Sequence, residues 1–244
     1  MDLGLPDWPA RPALFLDLDG TLLEFADEPD AVQPSARFRD LLQRLARFEP
    51  GAVAFVSGRS IETLDRLLAP HRFALAGVHG SERRSRGGRL SRPPANADAL
   101  RDVRDQLERF EESNEGVIVE DKSVSLALHY RQRPDLHAAI ERLAEELSES
   151  LPSEYEVLRG SMVVEIKPSG IDKGSAIREF MAEAPFADRT PVFIGDDVTD
   201  EAGFLVVNEL GGVSVKVNSG DTAAQWQLPD VDAVLAWLGK VLPE

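Results

Sequence analysis

At 244 residues the chain is long enough for one large domain or two smaller ones with real hydrophobic cores. A formal net charge of -16 alongside 43% hydrophobic residues describes a globular chain. That charge argues against a general nucleic-acid or anionic-membrane binder, because phosphate surfaces repel it. Cysteine is absent, which removes disulfides, thiolate nucleophiles and Cys-ligated zinc or iron–sulfur centres.

The stretch from Met1 to Arg11 carries Asp2 and Asp7 and lacks both a basic start and an apolar run, so no secretory signal is expected there. No window offers the uninterrupted apolar length of a membrane span, and a cytoplasmic protein is expected. Residues 13–18 read as a buried parallel strand running into Asp17-Leu18-Asp19-Gly20-Thr21-Leu22. In an extended chain residues i and i+2 point the same way, so Asp17 and Asp19 can face one substrate. Two crowded carboxylates repel, and a cation or a shared proton must compensate. A helix follows with Phe38, Leu41, Leu42, Leu45 and Phe48 on one face, opened by Pro34-Ser35 and closed by Pro50-Gly51. Residues 52–56 form a second strand ending at Ser57-Gly58-Arg59, and residues 74–77 a third leading into His79-Gly80-Ser81-Glu82. This strand–helix alternation predicts a parallel sheet covered on both faces.

Composition shifts at residues 83–94, where Arg83, Arg84, Arg86, Arg89 and Arg92 cluster with glycines and the pair Pro93-Pro94. No aromatic residue interleaves with this charge, which favours a solvated hairpin and linker over an anion-binding patch. From about Asn96 to Lys167 the rhythm becomes helix, two strands, helix, two strands. Val124, Leu126, Leu128 and Tyr130 alternate with Ser123, Ser125, His129 and Arg131, and Met162, Val164 and Ile166 alternate with Val163, Glu165 and Lys167. Such alternation predicts an antiparallel sheet with helices on one face and a polar face opposite, where Glu120 and Lys122 share a side. The fold class is therefore α/β: a parallel, Rossmann-like core over residues 1–86 and 168–244, interrupted by a smaller α+β domain over residues 87–167. After Pro168 the core resumes with Asp172-Lys173-Gly174 opening a helix, a strand over 191–194 ending at Gly195-Asp196-Asp197, a short strand over 213–217 and a closing helix.

Four short segments fall at strand carboxyl ends or a helix start: Asp17-Leu18-Asp19-Gly20-Thr21, Ser57-Gly58-Arg59, Asp172-Lys173-Gly174 and Gly195-Asp196-Asp197-Val198-Thr199-Asp200-Glu201. In an open parallel sheet these ends converge on one crevice. Pooled there, they supply the carboxylates, hydroxyls and lysine that phosphoryl transfer uses.

In order and placement the four segments resemble the four motifs of the haloacid dehalogenase-like (HAD) phosphohydrolases. That resemblance implies Asp17 as nucleophile and Asp19 as general acid and base. It implies phosphate contacts from Thr21, Ser57, Gly58 and Lys173. It also implies Mg2+ held by Asp17, the carbonyl of Asp19 and Asp196, with Asp197 and Asp200 behind it through water. The insertion between the second and third motifs resembles a type C2 cap. The segment Gly195–Phe204, together with Glu120-Asp121-Lys122-Ser123, His129-Tyr130-Arg131, Glu165-Ile166-Lys167-Pro168 and Gly77-Val78-His79-Gly80, resembles the trehalose-6-phosphate phosphatase family. Lys167 departs from the arginine expected there. The implied activity is hydrolysis of a sugar phosphate to trehalose and phosphate, with Glu120, Lys122, Arg131 and Glu165 as sugar contacts beneath a closing cap. The alternatives are another capped sugar-phosphate phosphatase, of the sucrose-phosphate or mannosyl-phosphoglycerate type, and a non-catalytic sugar-phosphate sensor. No glucosyltransferase region is visible, so coupling to a trehalose-6-phosphate synthase would be in trans.

Overall fold

The computed structural model describes residues 6–24, 35–48, 51–92, 97–160 and 162–243, so the expectations at Pro34, Pro50, Pro93-Pro94 and Asn96 lie outside the described residues. In chain order the first strands are β1 Pro12–Leu16, β2 Val53–Val56, β3 Ala74–Gly77, β4 Glu82–Arg84 and β5 Leu90–Ser91. Next come β6 Ile118–Asp121, β7 Leu126–His129, β8 Tyr155–Gly160 and β9 Val163–Pro168. The last are β10 Thr190–Gly195, β11 Val213–Val217 and β12 Trp226–Leu228. The helices are α1 Ala36–Arg47, α2 Ile61–Leu68, α3 Ala97–Ser113, α4 His137–Ser150, α5 Lys173–Met181, α6 Glu201–Glu209 and α7 Val231–Val241. Residues Met1–Ser91 and Asp172–Glu244 make one compact unit, and Arg92–Ile171 make a second.

The first unit is built on an eight-stranded sheet ordered β12-β11-β10-β1-β2-β3-β4-β5, parallel from β12 to β3 and antiparallel beyond. Period-2 alternation in β1 divides the core. Leu14 and Leu16 join Phe38, Leu41 and Leu45 of α1, Leu64 of α2 and Leu238 of α7 on one face. Ala13 and Phe15 join Ile177 and Phe180 of α5 and Phe204 and Val207 of α6 on the other. Full burial of such a Leu or Phe contributes about 1.5–3 kcal/mol each, which is why the continuous apolar strands could be read from sequence. Ser35 caps α1 by accepting from the Phe38 amide at 3.1 Å, and Asp172 caps α5 by accepting from the Ser175 amide at 2.7 Å.

Two expectations change here. The first strand stops at Leu16 and does not reach Leu18. The Leu18 carbonyl accepts from the amides of Leu22 and Leu23 at 2.8 and 2.9 Å, so the chain wraps around it while Leu18 itself stays buried. Gly20, at φ +77°, takes the left-handed conformation that this wrap requires. The arginine-rich stretch does form a hairpin, β4 with β5, but its first arginines are not solvated. Arg83 is buried, donates to Glu179 and Glu183 at 2.7 Å each and lies 4.8 Å over the Phe180 ring. Arg84 forks onto both oxygens of Asp65 at 2.6 Å. These arginines pin the hairpin to α5 and α2.

The second unit carries the antiparallel sheet β6-β7-β9-β8 with α3 and α4 on one face. Leu100, Val103 and Leu107 of α3 and Ile140, Ala144 and Leu147 of α4 pack against Leu126, Leu128, Val164 and Ile166 of the strands. The opposite side of the same sheet carries Glu120 of β6, Glu165 of β9 and, just before β7, Ser125, as the alternation predicts. No described helix is long and apolar enough to cross a membrane.

Candidate active site

The four motifs meet at the carboxyl end of the first unit's parallel strands, the place where open α/β sheets form a ligand crevice. Asp17 follows β1 and is held there by donation of its amide to the Ile194 carbonyl at 3.0 Å. Asp196 follows β10, which lies beside β1 in parallel register. Lys173 is the first residue of α5, and its buried ammonium donates to Asp17 Oδ1 at 2.8 Å and to Asp200 Oδ1 at 2.7 Å. The buried hydroxyl of Thr21 lies 3.2 Å from Asp17 Oδ2 and 3.1 Å from Asp196 Oδ1. Having one proton, it can donate to only one of them at a time.

The close approach of α5 to α6 depends on Gly174, where a Cβ would sit 2.4 Å from the Ala202 carbonyl oxygen. A methyl group there would separate Lys173 from Asp200. Asp200 is fully buried, and its second oxygen accepts from the amides of Asp196 and Asp197 at 3.0 Å each. Asp200 is thus a brace for the loop, committed at both oxygens. Asp197 begins the short turn Val198–Asp200 as its N-cap.

Three carboxylates share one ammonium here, and the electrostatics reflect it. Burial pushes the Asp17 carboxyl well above its usual range, opposed by Lys173 and reinforced by Asp200 and Asp196. Burial, followed by repulsion from Asp200, pushes Asp196 up to about 7. Burial works to lower Lys173, but the carboxylates of Asp17 and Asp200 outweigh it and hold the ammonium protonated. Asp17, Asp196 and Asp200 each offer an oxygen within 4.8 Å of the others. With Asp200 already committed, Asp17 and Asp196 are the carboxylates left for a cation, and an all-oxygen, anionic donor set suits a hard divalent ion.

Asp19 is half-buried, its two oxygens accepting from Nε and an Nη of Arg59 at 2.7 Å each. Ser57, buried at the end of β2, accepts from the Arg59 amide at 3.2 Å. Its backbone carbonyl accepts from the His79 amide at 3.0 Å, and the Arg59 carbonyl accepts from the Val78 amide at 2.9 Å. Val78 and His79 hold left-handed φ values of 49° and 52°, a strained geometry that puts the turn after β3 against the Ser57 loop. Gly58 permits that contact, since a Cβ there would lie 2.7 Å from the His79 ring.

The expected sugar contacts lie on the second unit. Lys122 donates to Glu165 at 3.0 Å, Ser125 donates to the other oxygen of Glu165 at 2.8 Å, and His129 Nε2 is 2.9 Å from Glu120. Burial works to raise Glu120, but the hydrogen bond to His129 and the charge of Lys122 leave it below its usual range. Lys122, Ser125 and Glu165 are buried, where alternation alone predicts an open face, and their mutual pairing satisfies the charge that burial would otherwise penalise. Arg131 lies past the end of β7 in a turn, half-buried. Lys167 is buried, with Glu156 and the Ile171 carbonyl as its partners.

Sequence reasoning gave no role to two residues behind the acidic loop, Lys216 and the last residue of the fourth motif, Glu201. Lys216 donates to the Asp196 carbonyl at 2.7 Å, and Glu201 accepts from the Ala223 amide at 2.7 Å. Lys216 had a visible signal, as the charged member of the otherwise uncharged strand Val213–Val217.

A family model described as trehalose-phosphatase matches residues 15–232. The chain is 46% identical to the trehalose-6-phosphate phosphatase of Escherichia coli (strain K12), covering 96% of this chain and 87% of that protein. It is 40% identical to a probable trehalose-phosphate phosphatase of Sinorhizobium fredii, over 91% of this chain and 84% of that protein. A bifunctional trehalose-6-phosphate synthase/phosphatase of Thermoproteus tenax is 32% identical over 96% of this chain and 32% of its own length. In fold, the chain resembles the solved C-terminal domain of C. albicans trehalose-6-phosphate phosphatase, with a TM-score of 0.87, 24% identity and coverage of 95% and 92%. With its four motifs gathered at one sheet end and the match running through both units, the chain belongs to the trehalose-phosphatase family.

Proposed function

We propose that the protein hydrolyses trehalose 6-phosphate to trehalose and inorganic phosphate, through attack of Asp17 on phosphorus. The observation that carries this reading is the buried Asp17 carboxylate, fixed by Lys173 at 2.8 Å beside Asp196 and Thr21. A carboxylate so placed is immobilised for attack on phosphorus. As Asp17 forms its bond to phosphorus, the bond from phosphorus to the sugar oxygen breaks, and Asp19 protonates that oxygen. Asp19 then takes a proton from water, whose oxygen attacks phosphorus and frees Asp17 and phosphate. Lys173, Thr21, Ser57 and the Gly58 amide hold the phosphate oxygens as charge shifts among them. Magnesium bound by Asp17, the Asp19 carbonyl and Asp196 would neutralise the phosphate and lessen its repulsion from the nucleophile.

In the same reading the second unit is a substrate-specificity cap spanning residues 87–167. Glu120, Lys122, Arg131 and Glu165 take the sugar hydroxyls, supported by the paired, pre-oriented Glu120–His129 and Lys122–Glu165 side chains. In this reading the phosphatase works in the cytoplasm on the product of a trehalose-6-phosphate synthase. Phosphate release from a panel of sugar phosphates, with magnesium present, tests the assignment. Trehalose 6-phosphate should be turned over well above sucrose, glucose and mannosyl-glycerate phosphates; equal rates across the panel would reduce the reading to an unspecific phosphatase. Asp17→Asn should abolish turnover with the circular-dichroism spectrum unchanged, and retained activity would place the nucleophile elsewhere.

A further inference from the structure

The far side of the acidic loop carries a second set of charges that the proposed chemistry does not use. Alternation along β11 places Val215 and Val217 in the core cluster with Leu14 and Leu16, which turns Ser214 and Lys216 toward α6. The Lys216 side chain is 9% exposed, and its ammonium donates to the Asp196 carbonyl at 2.7 Å while standing 4.0 Å from Glu201 Oε1. Glu201 Oε2 accepts from the Ala223 amide at 2.7 Å, and the Ala223 carbonyl accepts from the Asn208 side chain at 2.7 Å. The peptide groups around Asp196 are therefore gripped from two directions. Asp200 takes the amides of residues 196 and 197, and Lys216 takes the carbonyl of residue 196.

A buried lysine is costly to desolvate, and a valine or methionine would fill this strand position without that cost. A sheet already paired through β10 and β11 has no use for a cross-link from a lysine to one carbonyl. The carbonyl in question belongs to the residue whose carboxylate stands beside Asp17. Fixing that backbone fixes how far, and in which direction, the Asp196 carboxylate reaches.

We propose that Lys216, steadied by Glu201, is a positioning residue that sets the divalent-cation affinity of the acidic loop through the backbone of Asp196. The inference rests on the magnesium reading above. It makes a prediction whose sign opposes bulk electrostatics: removing a positive charge beside a cation site should by itself tighten cation binding, whereas loosening the loop weakens it. Changes to groups that orient metal ligands typically lower affinity about 10–100-fold, and the geometry commits to that direction.

The test is direct Mn2+ binding, followed by electron paramagnetic resonance of the free ion, to the full-length protein and its variants in the absence of substrate. Lys216→Met should raise the Mn2+ dissociation constant about tenfold or more, Glu201→Gln should raise it less, and Lys216→Arg should restore most of the affinity. Thermal unfolding in chelator separates positioning from fold: the Lys216→Met midpoint should stay close to the parent's. Unchanged or tighter Mn2+ binding by Lys216→Met would overturn the proposal. So would a weakening matched by collapse of the metal-free midpoint and shared by Lys216→Arg. If the parent protein itself binds no Mn2+, the magnesium reading falls and takes this inference with it.

Discussion

Asp19 shows how a single side chain can be right in type and unreadable in setting. In the proposed reaction its place in the first motif makes it the acid and base, but the two-toothed grip of Arg59, at 2.7 Å on each oxygen, is a tertiary fact. A guanidinium fork fixes the plane of a carboxylate. Arg59→Ala should therefore lower kcat about 10–100-fold, less than the roughly 100- to 10,000-fold that a proton-transfer group itself supplies, with KM changed little. Arg59→Lys should recover only a minor part, because an ammonium cannot fork. Steady-state kinetics on trehalose 6-phosphate would check both, and a parent-like kcat in Arg59→Ala would deny the positioning role. Asp17, Lys173 and Asp196 were legible because each sits in a short motif at an element boundary. Lys216 stood out only as a charge in an apolar strand; its role was not legible, because its acceptor is a backbone carbonyl in the loop after β10 and carries no sequence mark.

Among the elements, the central strands announce themselves through unbroken apolar runs, as strands buried on both faces must. The short edge strand β12, Trp226–Leu228, carries no such signal and went unread. The hairpin β4–β5 was legible as a hairpin, but its attachment was not, since Asp65 and Glu179 lie far from it in sequence. That attachment has a measurable pH signature. The hydrogen bonds and charge of Arg84 hold the Asp65 carboxyl below its usual range. A carboxyl lowered on folding adds stability above its unfolded value and loses it as pH falls through the folded one. The Asp65 side chain is 43% exposed, so solvent screening limits the contribution to about 0.5–1 kcal/mol. Urea unfolding should show Asp65→Asn less stable by that amount and constant between about pH 8 and pH 5, with the difference narrowing below. A difference that persists undiminished into acid would assign the effect to packing.

On the scale of the whole molecule, a phosphate ester must reach a protein of net charge -16. The described site sets Asp17, Asp19, Asp196, Asp197 and Asp200 against Lys173, Arg59 and Lys216, and a bound divalent ion would bring that balance to neutrality, which leaves the global charge to govern approach from a distance. Like charges approach each other faster when screened. At saturating magnesium, kcat/KM for trehalose 6-phosphate should rise as ionic strength goes from about 10 mM to about 150 mM, over which the screening length falls from about 30 Å to about 8 Å. A fall over that range would mean that the cations nearest the phosphate govern encounter. The alternation of apolar and polar positions revealed the second unit's architecture. It did not reveal that Lys122, Ser125 and Glu165 are buried, because alternation separates two faces without saying how wet either one is.

The neighbours of β1 impose an order on biosynthesis. One flank of β1 pairs with β2, only some forty residues downstream, and the other with β10, which lies beyond the entire inserted unit. While the chain is still emerging from the ribosome, β1 stays an open sheet edge until residue 195 is made, whereas Arg92–Ile171 already has all four of its strands and both of its helices. The guest can mature before its host is able to close, and a nascent chain stalled between them would display an unprotected apolar border ready to recruit its neighbours.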